Sequence, residues 1–493
     1  MTVPGVPLAA VADRLESAGL LEARPSEDVP ITGIADDSRS VEQGDLFCAW
    51  KGVAIDAHRF VGDAERAGAV AALVEYEVDG VAVPQLRTRD GRRAASVAAS
   101  IVYGDPQADL RVVGVTGTNG KTTSVWLLRH LLGGKYRTAS LGTLGVHLAD
   151  GSHIAGSEHL TTPGPVEMMR ALRDLVDRGI EAVAMEVSSH ALEQGRVHAL
   201  GFDVAVFTNL TRDHLDYHGT VEAYHGAKLL LVDRLRESGT AVVNASVPAW
   251  DEVRSRAARV ITFAIDEEAD LKASHIIVND HGTRFVCSFD GDVIPVELPL
   301  LGWFNVENAL GALAACVALG LDLRESVKRL ARVGQVPGRL ERIATDPCTV
   351  LRDYAHTPDA LERVLQALRP LTPGRLILVF GAGGDRDRGK RPLMGKAASA
   401  NADVTIVTSD NPRTEDPERI IDDIVAGMTG DYERIADRRA AIARAMEIAS
   451  SRDVIVLAGK GHETYQVVGR GRVGFDEREI VTDLAIGDHG GDR

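Results

Sequence analysis

Residues 112 to 123 read Val-Val-Gly-Val-Thr-Gly-Thr-Asn-Gly-Lys-Thr-Thr. A β-branched run enters a glycine-rich turn and leaves it as a helix. The backbone N–H groups of such a turn, with a helix N-terminus behind them, form an anion cradle suited to phosphate. Thr116, Gly117, Thr118, Asn119 and Gly120 are its candidate lining. Lys121 is placed to neutralise the β- and γ-phosphates of a nucleotide, and Thr122 to offer a hydroxyl to magnesium. The strict phosphate-loop spacing wants glycine six positions before the lysine. Val115 stands there, and glycines 114, 117 and 120 bracket the turn instead. The alternative is a glycine-rich turn without a ligand, but Gly-Lys-Thr-Thr at a helix start has little packing reason.

Two further strand ends carry polar groups. The apolar run Ala182 to Val187 contains Glu186 near its end and is followed by Ser188-Ser189-His190. An acid there, beside a phosphate loop, is well placed for magnesium. Thr208 to His218 ends another apolar run with Asp213, His214, Asp216 and His218. A single histidine in such a place is most simply a surface imidazole. Several polar groups at the ends of neighbouring strands point instead to a site, because α/β sheets bind ligands there.

These residues need a scaffold of βα units, and the composition allows one. The chain has 493 residues, enough for two to four domains. Its 26% charged and 45% hydrophobic residues are ordinary for a globular protein. A net charge of −16 disfavours a bulk nucleic-acid binder, and 4% aromatics argue against a base-stacking platform. Cys48, Cys287, Cys316 and Cys348 lie far apart, so neither a zinc ribbon nor a disulfide framework is supported. There is no signal-peptide pattern. The longest strongly apolar uncharged run, Ala309 to Leu321, is well short of the roughly 20 residues of a membrane helix. A soluble, cytoplasmic protein without nucleic-acid partners or membrane insertion is expected.

Short mixed elements fill residues 1 to about 105, ending at the turn Gly104-Asp105-Pro106. Strands are then expected at 110–115, 180–187, 204–209 and 240–244, with helices at about 121–132 and 305–319. The unbroken apolar runs predict a largely parallel sheet covered on both faces. A second doubly wound unit follows, with strands at 350–353, 376–380, 404–408 and 454–457 separated by helices at 358–368, 393–400, 417–428 and 438–448. One large α/β domain is the rival reading of this pattern.

The runs Thr116 to Thr123, Met185 to His190 and Thr208 to His218, taken in order, resemble the Mur ligases, ATP-dependent amide-forming enzymes of cell-wall precursor synthesis. Asp353-Tyr354-Ala355-His356-Thr357-Pro358, Gly381 to Asp387, Ser409-Asp410-Asn411-Pro412-Arg413 and Gly459-Lys460-Gly461-His462-Glu463 resemble the branch that adds a third amino acid to UDP-N-acetylmuramoyl-L-alanyl-D-glutamate. The resemblance covers essentially the whole chain. It implies an α/β protein of three domains: 1–108 for the UDP end of the substrate, 109–335 for ATP, and a Rossmann-like 336–493 for the incoming amino acid.

Several roles follow from the resemblance. ATP and Mg2+ would be held by the loop, Asn308 and Arg339, with Thr122, Glu186, His214 and a carbamylated Lys228 as metal ligands. On residues alone Lys228 is an ordinary helix lysine, and Asn308 could simply pack in its Ala-rich helix. Ser38, Thr161, Thr162, Ser188, Gln194 and Arg196 would hold the muramoyl-dipeptide, although Thr161-Thr162-Pro163 could be a plain turn. Lys121, Lys228, His214, Asp353 and His356 would act in catalysis, with a structural strand-end cap as the rival for Asp353.

Arg386, Asp410, Asn411, Pro412, Arg413, Gly459 and Glu463 would form the amino-acid pocket. Arg413 is a guanidinium at the rim of a doubly wound sheet, shaped for a second carboxylate. meso-Diaminopimelate carries one at its distal end and lysine does not. Lysine-adding relatives generally lack this arginine, so the diaminopimelate-adding type is expected; Arg413 capping the following helix is the rival.

The reaction has a physical logic. A carboxylate is a poor acyl donor, and phosphorylation by ATP gives an acyl phosphate with a good leaving group that an amine can displace. Each step moves concentrated negative charge, so positioning and cations do most of the catalysis. The alternatives are a ligase for L-lysine or another diamino acid, a folylpolyglutamate synthetase-like ligase, and a nucleotide-driven binding protein. A monomer is expected.

Overall fold

The computed structural model describes residues 5–52, 55–154, 157, 160–346 and 348–488. The unbroken apolar runs become strands buried on both faces. Arg111–Thr116 lies parallel between Ala182–Glu186 and Phe202–Phe207, with Val113 level with Ala184 on one side and Val204 on the other. These three strands are the middle of an eleven-stranded sheet. Parallel pairing continues through Thr138–Gly142 on one side and through Leu235–Asn244, Val260–Ile265 and Leu271–Asn279 on the other. Both ends then turn antiparallel, with Gly145–Leu148 and His153–Ile154 at one edge and Gly282–Phe289 and Asp292–Leu298 at the other.

Lys121–Leu132 and Phe304–Ala318 cover one face of this sheet through Leu127, Leu128, Leu131, Leu310 and Leu313. A further helix, Leu323–Leu330, follows. Pro165–Asp177 covers the other face and packs against Gly91–Val102, which belongs to a five-stranded N-terminal sheet. That sheet runs Leu21–Ala23, Gln85–Thr88, Ala71–Val74, Asp45–Cys48, Gly33–Ala35.

The C-terminal sheet has six strands in the order Glu341–Ala344, Thr349–Asp353, Val454–Ala458, Leu376–Phe380, Val404–Val407, Glu433–Arg434. All but the first pair are parallel. Its helices include Pro358–Leu368 and Arg438–Ile448, as expected, and a hairpin of Tyr465–Val468 and Gly471–Gly474 follows the last parallel strand. The architecture is the expected three-domain α/β one; the antiparallel margins and the hairpin were not foreseen. All four cysteines are buried and free. Among the described residues no helix is long and apolar enough to cross a membrane.

Candidate active site

The loop after Arg111–Thr116 folds as it does because two glycines take conformations closed to other residues. Gly117 has φ 145° and Gly120 φ 86°. A Cβ on Gly117 would lie 1.9 Å from Thr208 Oγ1, and one on Gly120 2.2 Å from Asn308 Oδ1. Three neighbours in the loop are held by bonds to the segment after Phe207. Thr116 is fully enclosed below the cleft, and its carbonyl accepts from Thr208 N–H at 3.0 Å. The Thr118 N–H donates to Asn209 O at 2.8 Å, and its hydroxyl joins Thr211 and Tyr224. The Asn119 N–H donates to Asn209 Oδ1 at 2.8 Å. The segment after Phe207 therefore staples the front of the loop. Thr118 and Asn119 still line the cleft beside Gly120 and Lys121, and the leading N–H groups of Lys121–Leu132 have no partner within the helix.

Two lysines converge here. Lys121 Nζ donates to Gly117 O and Thr118 O at 2.9 and 2.8 Å; Lys228 Nζ, from the helix Val221–Leu229, donates to Gly117 O at 2.9 Å. Lys228 is 1% exposed and lies 4.5 Å from the Tyr224 ring centroid. Burial, then the Lys121 charge, hold its ammonium well below the ordinary lysine value; burial also lowers Lys121.

The carboxylate of buried Glu186 accepts from Thr143 N–H at 2.8 Å and from the Thr143 hydroxyl at 3.2 Å. His214, with φ 52°, starts the short helix Leu215–His218 and faces the cleft. Loss of hydration there brings it down to about 4 despite Asp213 beside it, so it is a neutral imidazole near pH 7. Among the described residues no group of three His, Cys, Asp or Glu is assembled for a metal. The Glu186 carboxylate and the Thr122 hydroxyl, oxygen donors on the same cleft as the phosphate cradle, nevertheless fit magnesium, which binds through few protein ligands plus substrate phosphates; His214 lines that cleft with them.

The C-terminal domain closes the other side of the cleft. Arg339 donates to Thr122 Oγ1 at 2.9 Å and stacks 4.6 Å from the Tyr354 ring centroid. Asp359 Oδ2 accepts from Asn119 Nδ2 at 2.9 Å and from Thr211 Oγ1 at 3.3 Å. His356 lines the cleft, with Nδ1 donating to Tyr354 O at 2.8 Å, which leaves Nε2 as the acceptor. Burial lowers His356. Asp353 also lines the cleft, yet its two oxygens accept from the N–H groups of Leu340 and Ala355 at 2.7 and 2.8 Å. It is the cap of the strand end and fixes Leu340, whose φ is 42°. Its carboxyl is pushed up by burial, against Arg339 and these two donors.

On the opposite side, Thr161, Ser188 and Ser189 line the cleft. Thr162 is fully buried; its hydroxyl donates to Glu186 O at 2.9 Å and accepts from Ser188 N–H at 3.1 Å, so it braces the strand end. Ser188 Oγ caps the helix Ser189–Glu193. Arg196 donates to Thr162 O at 2.9 Å and through two nitrogens to Gln194 Oε1. The turn Ser38–Ser40 lies near this region: Asp36, two residues earlier, has Oδ2 3.7 Å from where a Gly164 Cβ would sit.

The loops carrying the expected amino-acid pocket meet at the ends of Leu376–Phe380, Val404–Val407 and Val454–Ala458. Arg413 donates to Gly384 O at 2.7 Å, and a Cβ on Gly383 would come within 2.8 Å of its guanidinium. The helix Pro417–Val425 is capped by Asp416, so the rival role for Arg413 is not the one seen. Asn411 Nδ2 donates to Glu463 Oε2 at 2.8 Å. Gly459, with φ 110°, passes so close to Asp410 that a Cβ would lie 2.9 Å from its Oδ2. Arg386 is exposed at the rim, and Pro412 is buried.

Residues 115–316 match the family description "Mur ligase middle domain", and residues 338–461 match "Mur ligase, glutamate ligase domain". A UDP-N-acetylmuramoyl-L-alanyl-D-glutamate–2,6-diaminopimelate ligase of Geobacillus thermodenitrificans is 43% identical over 464 residues, covering 92% of this chain and 94% of its own. The chain belongs to the Mur ligase family. A ligase of the same name from Synechococcus elongatus is 44% identical over 468 residues, covering 92% and 93% of the two chains. A solved structure of a ligase so named is similar with a TM-score of 0.67 and 37% identity, covering 93% of this chain and 96% of that one. A folylpolyglutamate synthase of Mycobacterium tuberculosis, solved with ADP and AMPPCP, shares the fold at a TM-score of 0.64 and 22% identity, covering 81% of this chain and 96% of that one. As a Mur ligase, the protein is an ATP-dependent enzyme that forms amide bonds.

Sequence reasoning passed over several residues of this Mur ligase site. Asp213 had no assigned role; burial pushes its carboxyl up, but the polar surroundings, the His214 N–H and the Lys121 charge among them, leave it below the ordinary value. Lys390 opens the helix Lys390–Asn401 and feels Asp213 across the cleft; Gly389-Lys390 at a helix start was the available signal. Lys460, fully buried between two glycines, pairs with Glu463 at 3.2 Å. Thr143 and Asp359 had no signal, since each acts through a fold contact.

Proposed function

We propose that this Mur ligase adds meso-2,6-diaminopimelate to UDP-N-acetylmuramoyl-L-alanyl-D-glutamate through an acyl phosphate, in peptidoglycan precursor synthesis. The observation that carries the amino-acid choice is the Asn411–Arg413 loop joined to Glu463. It offers a guanidinium for the distal carboxylate and a carboxylate for the distal ammonium. The names of the relatives at 43% and 44% identity over most of the chain support the same choice.

In this reading Gly120 and the start of Lys121–Leu132 hold the phosphates of ATP, while Lys121 and Arg339 carry counter-charge. Asn308 presses on Gly120 from below and faces the nucleotide side. Thr122, Glu186 and His214 would hold magnesium, which supplies charge neutralisation as the γ-phosphoryl moves to the substrate carboxylate. The amine then attacks the acyl carbon, phosphate leaves, and the neutral His356 Nε2 can take the proton. Lys228 would be carbamylated. Its buried amine is held toward the neutral form, the form that adds CO2, and the product anion would replace a cation facing Lys121.

We divide the chain at 1–108, 109–335 and 336–493, in line with the three large sheets. Ser38, Thr161, Gln194 and Arg196 would contact the UDP-muramoyl-dipeptide, with Thr162 and Ser188 shaping that wall. Arg386, Arg413 and Glu463 would contact the amino acid, with Asp410, Pro412 and Gly459 shaping the pocket. The enzyme would act as a cytoplasmic monomer on small-molecule substrates. The test supplies meso-diaminopimelate, L-lysine and L-ornithine separately with ATP and the UDP-dipeptide. Phosphate release should require both the UDP-dipeptide and the amine and should favour diaminopimelate; preference for lysine or ornithine would overturn the amino-acid choice.

A further inference from the structure

Arg413 is half-buried with φ 52°, a backbone conformation that residues other than glycine rarely take. Something must hold it there, and the surrounding bonds identify what. The Arg413 N–H donates to Val467 O at 2.9 Å, and the Gly469 N–H donates to Arg413 O at 2.8 Å. Arg413 thus pairs as a one-residue strand beside the hairpin Tyr465–Val468 and Gly471–Gly474. Two more bonds tie the hairpin to the same loop: Gln466 Nε2 donates to Asp410 O at 2.8 Å, and the Val467 N–H donates to Asn411 Oδ1 at 2.9 Å.

Below the loop lies Lys460, 0% exposed. Its Nζ donates to Asn411 Oδ1 and Glu463 Oε2, each at 3.2 Å, and lies 3.7 Å from Asp410 Oδ1. With Val467 and Lys460 both on Asn411 Oδ1, that oxygen has no lone pair left for a ligand. Asn411 is a joint between the loop, the hairpin and Glu463.

We propose that Gln466 and Lys460 are positioning residues for amino-acid specificity. They hold the loop so that the Arg413 guanidinium and the Glu463 carboxylate keep one fixed separation, which selects the length and end groups of the amino acid. Neither need touch the substrate: Lys460 is enclosed, and Gln466 reaches only the backbone of Asp410. This inference rests on the assignment of the amino-acid pocket to this loop. The loop belongs to the C-terminal sheet, whereas the phosphate loop leaves the central one, so loosening it should leave nucleotide binding alone.

The test uses the full-length enzyme and Gln466→Met, which keeps length and removes the donor. The amino-acid panel is run on wild type first, and each variant is compared with whichever diamino acid wild type prefers. Failure of the diaminopimelate assignment is then visible separately, as a different wild-type preference. Gln466→Met is expected to raise KM for the preferred amino acid about five- to tenfold, the range of one net hydrogen bond. Discrimination against the other diamino acids should fall, while KM for ATP and for the UDP-dipeptide stays within about twofold. Lys460→Met should act in the same direction and more strongly. Its thermal transition is recorded alongside, and if it fails to fold Gln466→Met decides alone. Unchanged amino-acid KM and discrimination in a folded Gln466→Met enzyme, or parallel changes in all three KM values, would overturn the proposal.

Discussion

Lys121 and Lys228 place their ammonium groups on one oxygen, the carbonyl of Gly117, each at 2.9 Å. Two cations on one acceptor, one of them buried, repel each other, and burial adds to the penalty on Lys228. Turning Lys228 into an anion would convert this repulsion into attraction. With 13C-labelled bicarbonate, the enzyme should show a carbamate carbon resonance that Lys228→Ala lacks. Lys228→Ala should lose about 100-fold or more in kcat, as expected when a charge aimed at phosphoryl transfer is removed. Full activity of Lys228→Ala would rule out a catalytic role.

Arg413 is the guanidinium of the proposed amino-acid loop, donating to Gly384 O at 2.7 Å. A charge-assisted hydrogen bond contributes roughly 1.5–3 kcal/mol, so Arg413→Ala should raise KM for diaminopimelate about 10- to 150-fold. KM for ATP should change by less than about threefold, because the phosphate loop stands on a different sheet. Equal increases in both would mark Arg413 as scaffold. Initial rates with each substrate varied in turn decide it.

Asp359 joins two domains by accepting from Asn119 Nδ2 and Thr211 Oγ1. Asp359→Ala removes this latch at a partly exposed position, so the transition temperature should move little, within about 2 °C. The closed cleft should become less populated, and KM for ATP should rise a few-fold. Small-angle scattering with nucleotide present should show a more open average shape than wild type under the same conditions.

Glu415 ties the loop after Leu376–Phe380 to the loop that carries Arg413. It accepts from Arg391 at 2.8 and 3.0 Å, from Arg388 at 2.7 Å and from the Asp385 N–H at 2.6 Å. Arg391, whose side chain is fully enclosed, is the first cause that brings the Glu415 carboxyl from 4.5 down to about 2. A lowered acid stabilises the fold fully above its unfolded value, and that contribution is lost as pH falls from about 4.5 toward 2. Glu415→Gln should therefore be less stable than wild type at pH 7, by roughly 1–3 kcal/mol. The gap should narrow as pH drops below 4.5. Urea unfolding at a series of pH values measures it; a gap independent of pH would contradict the assignment.

The parallel cores could be read from the sequence because their strands are unbroken apolar runs between helical ones. Lys121–Leu132, Leu376–Phe380 and Arg438–Ile448 fall where pattern alone put them. The margins of the large sheet were not legible. Gly282–Phe289 and Asp292–Leu298 are not unbroken apolar runs; they alternate buried and exposed positions, as a half-exposed antiparallel pair does, and Pro295 interrupts the pattern, so a reading built on unbroken runs passed them by. At the site, the phosphate loop and the polar strand ends stood out by residue type. What Thr116, Thr118 and Asn119 do could not be seen, because it depends on Thr208–Thr211 folding back from another strand. Lys460 was hidden by the glycines around it, and its role exists only once Asn411 and Glu463, far apart in sequence, come together.

The three loops that frame the phosphate cradle leave from Arg111–Thr116, Ala182–Glu186 and Phe202–Phe207, adjacent parallel strands of one sheet. Their spacing is set by main-chain ladders and needs nothing from the C-terminal sheet. The frame of the cradle thus stands on the central sheet alone, while Arg339 and His356 reach the cleft from the C-terminal unit. A cut at Gly338, whose Cβ would collide with His462 N at 2.2 Å, marks the natural seam. Grafting a C-terminal unit from a relative with another amino-acid preference onto residues 1–337 should carry over the menu of the donor, with phosphoryl transfer kept only where the donor also supplies an arginine and a histidine in the places of Arg339 and His356.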